Sequence, residues 1–280
     1  MRLLVTGAGG MLGGAVVEAA TRGGHDVIGM TRAELDITDA EAVRRAVGDV
    51  GAQAVVNCAA YTDVDGAESD RDGARAVNAT GAHNVAAAAA QADAAIVHVS
   101  TDYVFDGSKG GPWLESDATG PLGVYGETKL AGEHAVARAN DNHAIVRTAW
   151  LYGAGGQNFV DTMLSLGAAR EQVSVVTDQV GCPTWTGHLA VALVRLAARP
   201  RATGIHHIAG AGSCSWNELA REVFERAGVD CRVTPATTDQ FPRPARRPAN
   251  SVLGSERSDA IVLAPWRDGL AEYLATRVTA

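Results

Sequence analysis

The chain has 280 residues, of which 46% are hydrophobic and 20% charged, with a formal net charge of −8. That length is large for a single core and predicts one larger domain with a smaller second part. The acidic balance excludes a general nucleic-acid binder, which carries a basic face, and no apolar run reaches the length of a membrane span.

The chain starts on an apolar, β-prone run, residues 2–6, and the glycine-rich stretch Gly7-Ala8-Gly9-Gly10-Met11-Leu12-Gly13 leads from it into a helical pattern over 15–21. With strand and glycine turn first, rather than a charged segment feeding an apolar one, no signal peptide is expected. Strand, glycine turn and helix in that order are the context of a dinucleotide fingerprint. Glycines allow a tight turn and close approach of a pyrophosphate, whose charge meets the amides at the helix N-terminus. Gly7, Gly10, Met11, Leu12 and Gly13 are the candidate contacts.

A second strand over 25–30 ends at Thr31-Arg32. No carboxylate stands there to hold a ribose 2′-hydroxyl, whereas Arg32 suits a 2′-phosphate. NADPH is therefore expected, with NADH left open; a solvated surface arginine is the plainer alternative. Asp36, followed by Ile37, is placed either to border an adenine or to N-cap a helix starting near Asp39. A third strand over 54–58 leads to Ala59, Ala60 and Tyr61, small enough at the first two positions for a cofactor to lie close.

Next come an alanine-rich helix over about 74–92, a fourth strand over 94–100 ending at Ser100-Thr101, a helix over 122–139 and a fifth strand over 144–147. This β-α rhythm predicts a doubly wound parallel sheet of the Rossmann type with helices on both faces. Within the 122–139 helix, Tyr125 and Lys129 are spaced i and i+4 and share a face. A lysine beside a phenol favours its ionised form, which matters because an unassisted tyrosine, with a pKa of about 10, is a poor proton shuttle near neutrality.

Past residue 150 the rhythm loosens, with helical patterns over 159–167, 188–198 and 216–227, strands over 173–176 and 205–208, and a basic, proline-rich loop over 243–248. Residues 1–150 read as the nucleotide-binding domain and 151–280 as a smaller α/β part, some of whose segments return to the first. Cys58, Cys182, Cys214 and Cys231 are widely spaced, without Cys-x-x-Cys, so neither a disulfide framework nor structural zinc is expected and a reduced, cytoplasmic setting fits. Asp102, Asp106 and Asp63 or Asp65 are spaced as turn and cap carboxylates, and no metal site is expected.

Together the stretches Val5-Thr6-Gly7-x-x-Gly10-x-x-Gly13, Asn57-Cys58-Ala59-Ala60, Ser100-Thr101-Asp102 and Tyr125-x-x-x-Lys129 resemble the extended short-chain dehydrogenase/reductases. Longer stretches, Ser100-Thr101-Asp102-Tyr103-Val104-Phe105-Asp106-Gly107, Asp178-Gln179-Val180-Gly181-Cys182-Pro183-Thr184 and Arg247-Pro248-Ala249-Asn250-Ser251, are similar to the dTDP-4-dehydrorhamnose reductase group within them.

The resemblance implies NADPH-dependent reduction of the C4 ketone of dTDP-4-dehydro-L-rhamnose. It implies Tyr125 as general acid, Thr101 as a hydrogen-bond donor to the same oxygen, and Lys129 as the group that lowers the tyrosine pKa and holds the nicotinamide ribose. Asn78 matches a position that supports a water relay to the lysine, with a helix-packing amide as the alternative. Val64, Asp65, Asp102, Trp150, Asn158, Gln179 and Arg247 fall on the nucleotide-sugar side; for Arg247 a solvated basic loop, with Arg243 and Arg246 as rivals, stays open. A homodimer is compatible with the resemblance. The rivals are a reductase for another dTDP-4-keto sugar, such as a dihydrostreptose-type synthase, and a non-catalytic regulatory subunit, which an intact Thr101, Tyr125 and Lys129 argue against.

Overall fold

A computed structural model describes residues 1–199 and 201–278. In chain order, β1 (Arg2–Thr6) passes through the glycine turn into α1 (Met11–Arg22), followed by β2 (Asp26–Met30), α2 (Ala40–Val50) and β3 (Ala54–Asn57). Two short helices, α3 (Gly66–Ser69) and α4 (Arg71–Arg75), run through a π-helical turn (Ala76–Gly81) into α5 (Ala82–Gln91); β4 (Ala95–Thr101), α6 (Val124–Ala139) and β5 (His143–Thr148) complete the first half. Then come β6 (Leu151–Tyr152), α7 (Phe159–Ala169), β7 (Gln172–Val176), β8 (Val180–Gly181), β9 (Thr184–Trp185), α8 (Thr186–Ala197) and β10 (Gly204–His207). The chain finishes with β11 (Cys214–Ser215), α9 (Trp216–Ala227), β12 (Arg232–Ala236) and α10 (Trp266–Val278).

Six strands form one parallel sheet in the order β10-β5-β4-β3-β1-β2. Each inner strand is buried on both faces, which is why its sequence is a near-continuous apolar run. Leu3, Val5, Val56, Val97 and Val146 pack against α1 and α8, while Leu4, Val55, Ile96 and Ile145 pack against α2, α5 and α6. Burying each such aliphatic side chain contributes about 1.5–3 kcal/mol. The strand order reverses at β1, so a crevice opens beyond the carboxyl ends of β1 and β3, where ligands of such sheets bind. The doubly wound sheet agrees with the sequence pattern.

α8 and β10, both beyond residue 150, belong to this layer: α8 covers one face and β10 pairs with β5. The remaining C-terminal elements build their own core around Tyr152, Val175, Val223, Phe224, Leu270 and Tyr273. No helix among the described residues is long and apolar enough to cross a membrane.

The single helix expected over 74–92 is instead interrupted by the π turn. A π turn adds one residue to the helical ring, and here it carries buried Asn78. Helix α6 lies unusually close to this turn, since a Cβ on Gly132 would stand 2.1 Å from the Asn78 carbonyl oxygen. At its other end, a Cβ on Gly126 would stand 2.3 Å from the Tyr103 carbonyl oxygen.

One buried ion pair locks this arrangement. Glu133 on α6 accepts two hydrogen bonds from Arg147 on β5 (2.9 and 2.7 Å) and a third from the Ser100 hydroxyl on β4 (2.5 Å), with both charged side chains 2% exposed. Removing one member of such a pair strands the other charge out of water. Glu133→Gln is therefore expected to destabilise the fold by roughly 3–5 kcal/mol, read from the midpoint of urea unfolding; a loss below about 1 kcal/mol would show that the pair does not hold α6 to the sheet.

Candidate active site

A cleft of about 1260 Å³ opens along the carboxyl ends of β1, β3 and β4. Its floor is the glycine turn. Gly7 takes φ +71, and an added Cβ there would stand 2.7 Å from the Ala59 nitrogen; one on Gly13 would stand 2.1 Å from the Gly7 carbonyl oxygen. Both positions thus exclude any side chain. Gly10 caps α1 without a side-chain bond, and the first intrahelical bond runs from Gly14 N–H to the Gly10 carbonyl. The amides of Met11, Leu12 and Gly13 are left as helix-end donors for an anion. Below them, Asn57 Oδ1 accepts from the Thr6 hydroxyl (2.7 Å) and the Ala59 amide (3.2 Å), and its Nδ2 meets His98 Nδ1 at 3.0 Å. That buried chain fixes the ends of β1, β3 and β4 beneath Ala59 and Ala60, which line the cleft with Tyr61.

Arg32, Asp36 and Ile37 line the outer end. Arg32 is exposed and makes no hydrogen bond or ion pair among the described residues. Asp36 accepts from the amide (2.9 Å) and hydroxyl (2.8 Å) of Thr38, bonds that hold its carboxyl below the usual range. It is not the cap of α2; Asp39 is, accepting from the Ala42 amide.

At the inner end Thr101, Tyr125 and Lys129 meet across β4 and α6. The Thr101 hydroxyl donates to Asp102 Oδ1 (3.0 Å) and accepts from the Tyr103 amide (3.2 Å). Burial pushes the Tyr125 phenol up to about 12, with the neighbouring Thr101 hydroxyl acting the other way. The expectation that Lys129 depresses this pKa is corrected here. Its Nζ donates to the Val99 carbonyl (2.7 Å), and the side chain is 2% exposed, so burial brings its own pKa down to about 8. The ammonium is bound to the end of β4, and it is not among the groups that shift the phenol.

The Asn78 side chain is likewise engaged with its neighbours. Its Oδ1 accepts from the Tyr61 amide (2.8 Å), while Nδ2 donates to the Tyr61 carbonyl and the Thr128 hydroxyl (both 3.1 Å). The amide clamps a cleft-lining segment, as the packing alternative required.

On the far wall Val64, Asp102 and Trp150 line the cleft, but four expected sugar contacts are engaged elsewhere. Asn158 caps α7, accepting from the Asp161 amide (3.0 Å) and donating to the Gly153 carbonyl (3.0 Å). Gln179 donates to Thr238 (3.0 Å) and accepts from the Trp216 indole (3.2 Å). Arg247 forms a two-pronged bond with Asp65 (2.6 and 2.8 Å), tying the basic loop to the start of α3. Asp63 and Asp106 close turns onto the Gly66 and Ser108 amides, as their spacing implies.

The sequence reading missed Trp216 and the flap residues Gly155, Gly156 and Gln157. Trp216 stacks on Trp150 at 3.4 Å between ring centroids and 3° between planes. No periodicity pairs a residue at the end of β5 with one at the start of α9. The Gly-Gly pair after Tyr152 was the signal for the flap. Glu133 could also have been read, since Tyr125, Lys129 and Glu133 are spaced i, i+4 and i+8.

The desolvated Lys129 ammonium gives a stability prediction. A folded-state pKa below the unfolded value means that at neutral pH folding bears the cost of burying the charge, and that stability rises as pH climbs from about 8 toward 10.5. Lys129→Met is expected to raise the thermal midpoint of the ligand-free protein at pH 7 and to flatten that rise; a lower midpoint would show that the bond to the Val99 carbonyl outweighs desolvation.

With this geometry in view, residues 1–278 match the family model described as the RmlD substrate binding domain. The chain is 47% identical over 287 residues to a dTDP-4-dehydrorhamnose reductase of Mycolicibacterium smegmatis, covering all of this chain and 86% of that protein. Among solved structures it is similar to a dTDP-4-dehydrorhamnose reductase of Clostridium acetobutylicum (TM-score 0.96, 42% identity, 99% of this chain and 100% of that one). It is also similar to the Bacillus anthracis dTDP-4-dehydrorhamnose reductase in complex with NADP (TM-score 0.95, 37% identity, 98% and 99% coverage).

Proposed function

The chain belongs to the RmlD substrate-binding-domain family, and from that premise we propose that it reduces the C4 ketone of dTDP-4-dehydro-L-rhamnose to dTDP-L-rhamnose with NADPH, as a cytoplasmic enzyme. The observation that carries the reading is that Thr101, Tyr125 and Lys129 share one cleft with an uncapped, glycine-lined helix start.

The chain's own residues fit the cofactor. Gly7 and Gly13 leave the space its pyrophosphate needs, the amides of Met11, Leu12 and Gly13 supply donors, and exposed Arg32 supplies a guanidinium for the 2′-phosphate. When bound, NADPH supplies the hydride for the carbonyl carbon. Tyr125 supplies the proton: a phenol held near 12 is fully protonated at neutral pH, and it is acidic enough to protonate an alkoxide. Thr101 fixes the direction of the substrate oxygen. Lys129, held against the end of β4 by its bond to the Val99 carbonyl, is assigned to the nicotinamide ribose. Trp150, backed by Trp216, offers the sugar a flat wall. The dTDP diphosphate is assigned to the basic loop through exposed Arg246, since Arg247 is tied to Asp65 and Arg243 stands 4.0 Å from the same carboxylate.

NADPH consumption with enzymatically prepared dTDP-4-dehydro-L-rhamnose, followed by identification of the product sugar, tests the proposal. Other dTDP-4-keto sugars run in parallel separate it from a sibling reductase, and failure to form dTDP-L-rhamnose would overturn it. Tyr125→Phe is expected to bind NADPH normally and to lose turnover by roughly 10²–10⁴-fold. Arg32→Ala is expected to weaken NADPH about tenfold, equivalent to about 1.4 kcal/mol, and to leave NADH unchanged. An unaltered NADPH/NADH preference would remove Arg32 from the 2′-phosphate site.

A further inference from the structure

Of the carboxylates lining the cleft, Asp36 and Asp63 are exposed and Asp102 alone is buried, at 2% exposure. Its Oδ1 accepts the Thr101 hydroxyl at 3.0 Å, and its Oδ2 makes no hydrogen bond. A hydroxyl has one proton and two lone pairs. With Asp102 ionised, the 3.0 Å bond must be donated by Thr101, so its proton points at Asp102, one lone pair is taken by the Tyr103 amide, and the Tyr125 phenol stands beside the same hydroxyl. Thr101 can then only accept, and a substrate carbonyl oxygen, which is itself an acceptor, gains nothing from it.

A proton on Asp102 reverses the polarity. The carboxyl group then donates to Thr101 Oγ1, whose two lone pairs are filled by Asp102 and the Tyr103 amide, and the threonine's own proton is released toward the cleft. We propose that Asp102 is a positioning residue for the reduction described above: protonated, it turns the Thr101 hydroxyl onto the substrate carbonyl oxygen, and ionised, it withdraws it. Asp102 itself gives no proton to the substrate; the proton transferred comes from Tyr125, so the step stays balanced without it.

The surroundings favour the protonated form. Asp102 makes no ion pair among the described residues, and the titratable groups facing it are the phenols of Tyr103 and Tyr125 and the Cys182 thiol, each of which its charge pushes up. Arg247 acts on the neighbouring Tyr103 phenol, which it pulls down. Burial raises the carboxyl to about 7, against the lowering effect of the Ser251 and Thr101 hydroxyls.

The test is kcat against pH in the NADPH assay for the wild type and for Asp102→Asn, Asp102→Ala and Thr101→Val, with the thermal midpoint and NADPH affinity of each measured alongside. The wild type is expected to lose kcat as pH rises through about 7. The asparagine amide donates to Thr101 at every pH, so Asp102→Asn should keep kcat within about threefold of the low-pH wild-type value and lack that limb. Asp102→Ala should lose roughly 10²-fold in kcat, the scale for a donor to a developing oxyanion, with little change in KM. Thr101→Val should also lack the limb, with the carboxyl intact. A limb near 7 that persists in Asp102→Asn or Thr101→Val, or equal losses in the Asn and Ala variants, would overturn the proposal. A wild type without reductase activity would instead count against the reaction assigned above.

Discussion

Everything at the catalytic end of the cleft depends on the buried pairing of Glu133 with Arg147. A carboxylate and a guanidinium taken out of water bear a large desolvation cost, recovered only when the geometry is two-pronged and the remaining lone pairs are met. Here Arg147 closes the fork and Ser100 supplies the third bond. The stability gained is modest, but the register gained is large. Tyr125, Lys129 and Glu133 form one stripe of α6, so anchoring the last of them to β4 and β5 aims the other two at the end of β4, where Thr101 stands.

Glycines set the depth of that contact. Within a helix each costs about 1 kcal/mol relative to alanine, yet Gly126 and Gly132 sit in α6 against the Tyr103 and Asn78 carbonyls, where a Cβ has no room. The same exchange recurs at Gly13 in α1, against the Gly7 carbonyl. Helix propensity is given up at all these places for backbone proximity, and side chains from different elements thereby converge within one cleft.

Much of this was legible in the sequence because it rests on short-range rules. Strand-turn-helix order located the glycine floor, and helical spacing placed Tyr125 and Lys129 on one face. Residues whose roles depend on distant partners were not legible. Arg247 reads as a free cation until Asp65, 182 positions away, is seen to hold it. Asn158 and Gln179 carry polar groups suited to a sugar, but a helix start and an indole claim them first. Asp36 and Lys129 line the cleft, and the bonds they make run to Thr38 and to the Val99 carbonyl. The π turn at Asn78 left no mark in an alanine-rich run that satisfies any helical period.

Trp150 adopts φ +48, a left-handed conformation that is rare for a bulky side chain and persists only where its surroundings enforce it. Trp216 presses on one face of its ring, and Gly181 leaves room where a Cβ would stand 2.4 Å from the indole. This wall of the cleft is thus shaped by residues of the C-terminal half, while Tyr125 lines the same cleft from α6 in the first. Substitutions at the start of α9 or around Gly181 would therefore reshape this side of the cleft without touching α6, so the two walls can vary independently.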